Sequence, residues 1–141
     1  MSDEHGHEHE HLRYFAAGAD PQVFAAAADL SWSVPAGRTE IEEVVRAFLD
    51  RLSHALAAAG CVLVGHIKGV VTGDGQNELQ FSLTRLAGEP RFAGDLAGPL
   101  QQATVTINVI VFGVDRRVLP GLVTGAWPQE MAGAAWRTHE H

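Results

Sequence analysis

The sequence of 141 residues has one cysteine, Cys61, and one lysine, Lys68. A single cysteine excludes, within this sequence, a disulfide framework and any zinc or iron–sulfur site built from cysteines. Cys61 opens an apolar stretch, which is typical of a buried small hydrophobic residue rather than a reactive thiol. The basic side chains form no cluster larger than the pair Arg116 and Arg117 and the formal net charge is −7, so nucleic acid is not an expected partner.

Long apolar runs are also missing from the sequence. No stretch is apolar over the length that a bilayer requires, and the first residues do not show the basic-then-apolar order of a secretory signal. The sequence contains no phosphate-binding loop, no G-x-S-x-G or H-E-x-x-H motif and no nucleotide-binding glycine fingerprint. We therefore expect a cytoplasmic protein that does not bind a membrane, and enzymatic activity is the less favoured interpretation.

The remaining composition is that of a globular domain, with 46% hydrophobic and 19% charged residues. The length suffices for one hydrophobic core. Residues 1–12 lack the apolar side chains that offset the entropy cost of ordering, so we expect a disordered His/Glu-rich tail there. We predict a single α+β domain over residues 13–128 and a C-terminal tail over residues 129–141.

Three stretches, residues 61–71, 78–85 and 103–114, alternate between apolar and polar side chains as β-strands do. A fourth stretch, residues 23–33, alternates similarly and adds Asp29 to the polar set. The apolar positions of the three stretches are Leu63, Ile67, Val71, Leu79, Phe81, Leu83, Val105, Ile107, Val109 and Val111. The polar positions are His66, Lys68, Gln80, Ser82, Thr84, Thr104, Thr106 and Asn108.

Helical signals lie between and after these strands. Residues 39–42 (TEIE) match a capping box that opens a helix to about residue 59, and residues 115–127 predict a second helix interrupted by Pro120. Residues 72–76 predict a hairpin loop, and the Gly- and Pro-rich residues 87–102 predict a connector. The order β-α-β-β-β-α predicts a ferredoxin-like α+β sandwich, a largely antiparallel four-stranded sheet with helices on one face and the third strand between the first two.

The face that the helices leave open is the candidate functional surface. On it, His66 could ligate a metal or move a proton, and Lys68 could hold an anionic group. The structural alternative is that His66 hydrogen-bonds Ser82 or Thr84 across the ladder while Lys68 extends into solvent. Gly65 and Gly69 indicate a bulge or a close approach of another group. Apolar residues share this face, which favours a ligand platform or a homo-oligomer interface: Val62, Val64, Val70, Ile110 and Phe112.

Within the first twelve residues, four imidazoles alternate with Gly6, Glu8 and Glu10. The imidazoles are His5, His7, His9 and His11. Such a segment can wrap a divalent transition metal, with zinc or nickel among the usual choices for imidazole, although the spacing is not that of a closed structural site. The alternative is a solvated acidic tail or a cloning remnant.

Three middle motifs resemble accessory domains found with CobW-type metal-chaperone GTPases: residues 65–69 (GHIKG), 81–84 (FSLT) and 108–114 (NVIVFGV). The resemblance implies a small α+β module that works beside a GTPase that delivers a metal, and the partner would then be that GTPase or a metalloenzyme. This sequence lacks a phosphate-binding loop and a cysteine pair, so neither GTP hydrolysis nor cysteine-based metal transfer carries over.

The leading hypothesis from the sequence is a non-enzymatic accessory protein in metal handling or metalloenzyme maturation. Its histidine-rich tail would capture metal, and its sheet face would dock a partner or a second copy. One alternative is a stand-alone ligand-binding or oligomerisation module with an incidental tail. A third is an enzyme that uses His66 and Lys68 as acid, base or electrostatic groups.

Overall fold

The structure is a computed structural model that describes residues 20–73, 77–127 and 135–138. Within these ranges the chain forms six strands and two helices. The strands are β1 (Pro21–Ala36), β2 (Leu63–Thr72), β3 (Glu78–Leu83), β4 (Arg91–Asp95), β5 (Leu100–Phe112) and β6 (Ala135–Thr138). The helices are α1 (Arg38–Ala58) and α2 (Leu119–Ala126).

The strands form one sheet in the order β4-β3-β2-β5-β1-β6, with every neighbouring pair antiparallel. This confirms the predicted α+β sandwich, although the sheet has two strands more than the predicted four. The additional strand β4 lies in the predicted connector, and β6 lies in the predicted C-terminal tail. Both strands are short, and each forms its backbone hydrogen bonds with a longer neighbouring strand. The periodicity of the local sequence does not indicate such a strand.

The centre of the sheet differs from the prediction in one respect. β1 and β2 both pair antiparallel with β5, so they run parallel to each other and α1 connects them. The predicted third strand, now β3, does not fill the gap between β1 and β2; β5 fills it, and β3 pairs on the outer side of β2. β5 has 13 residues against six in β3, so it can pair with two long neighbours at once.

One face of the sheet and both helices enclose the core. Apolar side chains of β2, β3 and β5 meet those of β1 at alternate positions, and the buried stripe of α1 packs on them. That stripe is Ile41, Val45, Phe48, Leu49, Leu52, Ser53 and Leu56. The ring of Phe48 also meets that of Trp127 edge to face, at 4.9 Å between centroids. Burying each large apolar side chain contributes about 1.5–3 kcal/mol to stability.

The first turn of α1 is stabilised differently from the prediction. The helix begins at Arg38 with Gly37 as its N-cap, and no side chain caps it, so the predicted capping box at residues 39–42 is wrong. Instead the Arg38 guanidinium donates to Glu42 Oε2 at 2.8 Å and to the Gly94 carbonyl oxygen at 2.7 Å. Arg38 also pairs with Asp95 at 3.2 Å, and these contacts join the start of α1 to β4.

The two glycines of β2 play separate roles. The register against β5 shifts between Val64 and His66, so Gly65 lies at a β-bulge. A bulge is one of the two alternatives that the sequence predicts for the glycines, the other being a close approach of another group. Because of this bulge, Val64 is buried in the core cluster, whereas Leu63 is half-exposed and pairs with Phe112. The predicted sides of Leu63 and Val64 are therefore wrong. Gly69 is buried, and the Phe81 ring lies directly over it.

The hairpin between β2 and β3 is antiparallel as predicted, and residues 74–76 of its loop lie outside the described ranges. The second helix is shorter than predicted, because residues 116–118 form a turn and α2 begins at Leu119 with Pro120 in its first positions. A proline is tolerated there because its missing N–H would have no partner within the helix. Neither described helix is long and apolar enough to cross a membrane.

Candidate functional site

The face of the sheet opposite the two described helices carries most of the predicted polar set. We call the part of it on β4, β3, β2 and β5 the open face. Its members are Arg91, Ala93, Glu78, Gln80, Ser82, His66, Lys68, Val70, Thr72, Thr104, Thr106, Asn108 and Ile110. The same parity of β1 includes Ala25 and Ala27, which are buried, so the accessible surface is centred on β3, β2 and β5.

Two cations lie in one line across the open face. Arg91 pairs with Ser82, Ser82 with Lys68, and Lys68 with Asn108. Neighbouring strands are about 4.8 Å apart, so this line of four residues extends about 14 Å. We call it the cationic row. Lys68 and Arg91 are exposed, and within the described ranges neither is in an ion pair.

A shallow groove of about 460 Å³ runs over the cationic row. Its walls include Gln80 and Thr106 from the next line of residues. The groove therefore offers an ammonium, a guanidinium, hydroxyls and side-chain amides to whatever lies in it. Positive charge beside neutral hydrogen-bonding groups suits a carboxylate or another anion.

The opposite end of the open face is acidic. Glu78 is exposed and pairs with Thr72, which pairs with Thr104, which pairs with Asp29 of β1. The Thr104 hydroxyl donates to Asp29 Oδ1 at 3.0 Å, and the Thr72 hydroxyl donates to the Thr104 carbonyl oxygen at 3.3 Å. A second depression of about 390 Å³ lies here. Charge is thus separated along the strands, with cations at one end and carboxylates at the other.

The structure brings together four of the predicted site residues, namely Lys68, Ser82, Thr106 and Asn108, all of which line the groove. It places Asp29 on the same face but at the acidic end. His66 lies one line beyond the cationic row, opposite Ile110. Thr84 is exposed and follows the end of β3.

The structural alternative for His66 fails in detail. Ser82 faces Lys68 rather than His66, and among the described residues no hydrogen bond joins His66 to Ser82 or Thr84. The half of that alternative concerning Lys68 agrees with the structure, because Lys68 is exposed. A lysine that acts as a base is activated by burial, so an exposed Lys68 beside Ser82 fits electrostatic binding better than proton transfer.

Arg91 is the site residue that sequence reasoning missed. It lies in β4, within a stretch whose glycines and prolines predicted a connector. The one sequence feature that indicates a strand here is Phe92, a lone apolar residue flanked by polar or small ones. A single apolar residue is too little to identify a strand by its periodicity. In the structure Phe92 pairs with Phe81, and the Arg46 guanidinium of α1 lies 5.1 Å from the Phe92 ring centroid. These contacts hold β4 in place and turn Arg91 to the open face.

The described ranges contain no group of three histidine, cysteine or acidic side chains that could hold a metal ion. The predicted metal ligands, His5, His7, His9 and His11, lie outside the described residues.

Cys61 is half-buried between α1 and β2. Burial raises the pKa of its thiol, and Sγ donates to the Leu63 carbonyl oxygen at 3.5 Å. A raised pKa leaves less thiolate at neutral pH, so the thiol is a poor nucleophile and a poor metal ligand there. This agrees with its predicted hydrophobic role.

No family model and no curated protein matches the sequence. Among solved structures, a zinc-bound triple mutant of the YjiA GTPase matches 76% of this chain at 15% sequence identity and a TM-score of 0.37. The chain spans about 30% of that protein's length. That protein is a CobW-family GTPase. A TM-score of 0.37 marks a partial likeness and assigns no function to this chain.

Proposed function

We propose that this chain is a non-enzymatic accessory protein in transition-metal handling. Residues 1–12 capture the metal, and the open face docks a protein. The observation that carries the docking half is the convergence of Lys68, Arg91, Ser82 and Asn108 in one line on the face that the described helices leave uncovered. The metal half rests on the composition of the tail and on the resemblance of the middle motifs to accessory domains of metal-chaperone GTPases.

The chemistry of the tail supports capture of a soft or borderline cation. Four imidazoles at alternate positions, interleaved with glutamates, offer nitrogen ligands with carboxylates to balance charge. Imidazole suits zinc, nickel and copper, and a histidine-rich stretch can bind such a metal without the ligand spacing of a closed structural site. Zinc and nickel are the metals we propose.

The geometry of the open face supports docking in preference to catalysis. The groove is shallow and its cations, Lys68 and Arg91, are exposed. The residues opposite Ser82 on its two neighbouring strands are these two cations rather than a histidine or a carboxylate. Catalytic sites are concave and hold a nucleophile and its base within hydrogen-bond reach. A broad face that combines charged and hydrogen-bonding groups with half-buried apolar side chains is typical of a transient interface.

The test of the metal half is calorimetric titration of nickel and zinc into the full chain. We expect saturable binding that is lost when His5, His7, His9 and His11 are replaced by asparagine, because the imidazoles are the ligands. The matched control replaces His139 and His141 in the same way and should retain the binding. Equal metal affinity for the full chain and the four-asparagine variant would remove the tail from the proposed function.

The groove also supports a second candidate, a ligand-binding module whose tail is incidental. In that case an anionic ligand would occupy the cationic row and metal would have no effect on it. Thermal stabilisation by dicarboxylates that is lost in Lys68→Ala, together with absent metal binding, would favour this candidate.

A further inference from the structure

We propose that two copies of this chain pack open face to open face, around a two-fold axis that lies between the sheets and runs across the strands. The inference rests on the docking half of the proposed function and names the partner as a second copy. It follows from how charge is distributed along the strands of the open face.

The two charged ends are well separated within one chain. Lys68 belongs to the cationic row, whereas Thr72, four residues further along β2, pairs with Glu78. Four residues of a strand span about 13 Å, so Lys68 and Glu78 do not neutralise each other. Glu78 is exposed, and like Lys68 and Arg91 it is in no ion pair within the described ranges.

Symmetry restricts how two such faces can meet. A two-fold axis between the sheets can run along the strands or across them. An axis along the strands places each line of residues over the same line of the second copy, so cations would face cations. An axis across the strands reverses the strand direction and places the cationic row over the acidic end of the second copy. Only the second arrangement is electrostatically complementary.

The axis across the strands gives definite neighbours. It passes over the middle line of the open face, where Gln80 pairs with Val70 and Val70 with Thr106. Val70 and Thr106 are half-buried, and Val70 supplies the apolar centre of this line. Glu78 of the second copy then lies over the interval between Lys68 and Arg91, and the same contact is repeated on the other side of the axis. Sheets packed this way lie about 10 Å apart.

The contact is modest in size, because four short strand segments and three lines of residues form it. Interfaces of this kind are at the weak end of specific association, and a large share of their free energy is electrostatic. We therefore expect a dimer that forms in the micromolar range or above and that weakens as salt rises.

The test is sedimentation equilibrium of the full chain with a chelator present, at low and at high salt. We expect reversible dimers in the wild type. Lys68→Glu/Arg91→Glu should weaken dimerisation by at least about tenfold, and Glu78→Lys should do the same, because each variant places like charges in contact. A mixture of the two variants should form heterodimers, because the opposite charges then face each other in both contacts. The matched control, Arg51→Glu/Glu43→Lys on the outer surface of α1, should dimerise as the wild type does.

Heterodimers in the mixture would support the proposal directly and show that both variants fold. A monomeric wild type at all concentrations would overturn it, as would variants that dimerise like the wild type. Dimers that appear only after deletion of residues 1–12 would indicate that the chain's own acidic tail occupies the open face. That result would also overturn the proposal. The chelator separates this result from metal binding, so either half of the proposed function can fail alone.

Discussion

Phe48→Ala is expected to lower the free energy of unfolding by about 3–5 kcal/mol, the largest effect of a single substitution that we expect in this chain. Phe48 is 0% exposed and lies in the centre of the α1 stripe. Its removal leaves a cavity between the sheet and the helices and deletes the edge-to-face contact with Trp127. Because Trp127 follows α2, the substitution also loosens α2 against α1.

The measurement is urea unfolding followed by circular dichroism and by tryptophan fluorescence. Phe48→Leu keeps most of the volume and should cost less, about 1–2 kcal/mol. The surface control Arg51→Ala, one turn further along α1, should change stability by less than about 0.5 kcal/mol. A loss below about 1 kcal/mol for Phe48→Ala would show that α1 is not packed on the sheet as described.

Gly69→Ala is expected to destabilise the fold by about 1–3 kcal/mol although it adds only one methyl group. A Cβ at this position would overlap Phe81 Cζ and come within 2.6 Å of Cε1, so the ring cannot stay where it is. Phe81 is 2% exposed and is confined by the core, so it can move only by displacing its neighbours.

A double-mutant cycle separates this clash from a general strand effect. Phe81→Leu removes the part of the ring that meets the new methyl, so Gly69→Ala should cost less in that background than in the wild type. The matched control is Gly98→Ala, where an added Cβ meets nothing within 4 Å and should be almost neutral. Strict additivity of Gly69→Ala and Phe81→Leu would contradict the described contact.

The periodicity of the local sequence was enough to predict the longer strands and the longer helix of this fold. The alternation in β2, β3 and β5 identified the buried side correctly for most positions, because each of these strands has one face in the core. It failed at Leu63 and Val64, because the bulge at Gly65 adds a residue and exchanges the two sides. A glycine indicates that a bulge is possible, but its position depends on pairing with β5, which local sequence does not specify.

Sheet order and the short strands depended on distant contacts. β4 is held by β3, by Arg38 and by the stacking of Arg46 on Phe92, and none of these partners is near it in sequence. The same reason explains the site. Lys68, Ser82 and Asn108 were predicted to share a face from parity alone, whereas Arg91 could join them only after β4 was known.

The central claim is that the open face, rather than the surface of the helices, is where this chain binds a protein, and that the protein is a second copy. The most direct measurement is the distance between spin labels in the associated state, in a Cys61→Ala background. Ala93→Cys lies in the middle line of the open face, so its labels should be about 10–20 Å apart across the two sheets. Arg51→Cys lies on the outer surface of α1, so its labels should be more than about 40 Å apart. A short distance at position 51 and a long one at position 93 would contradict the account.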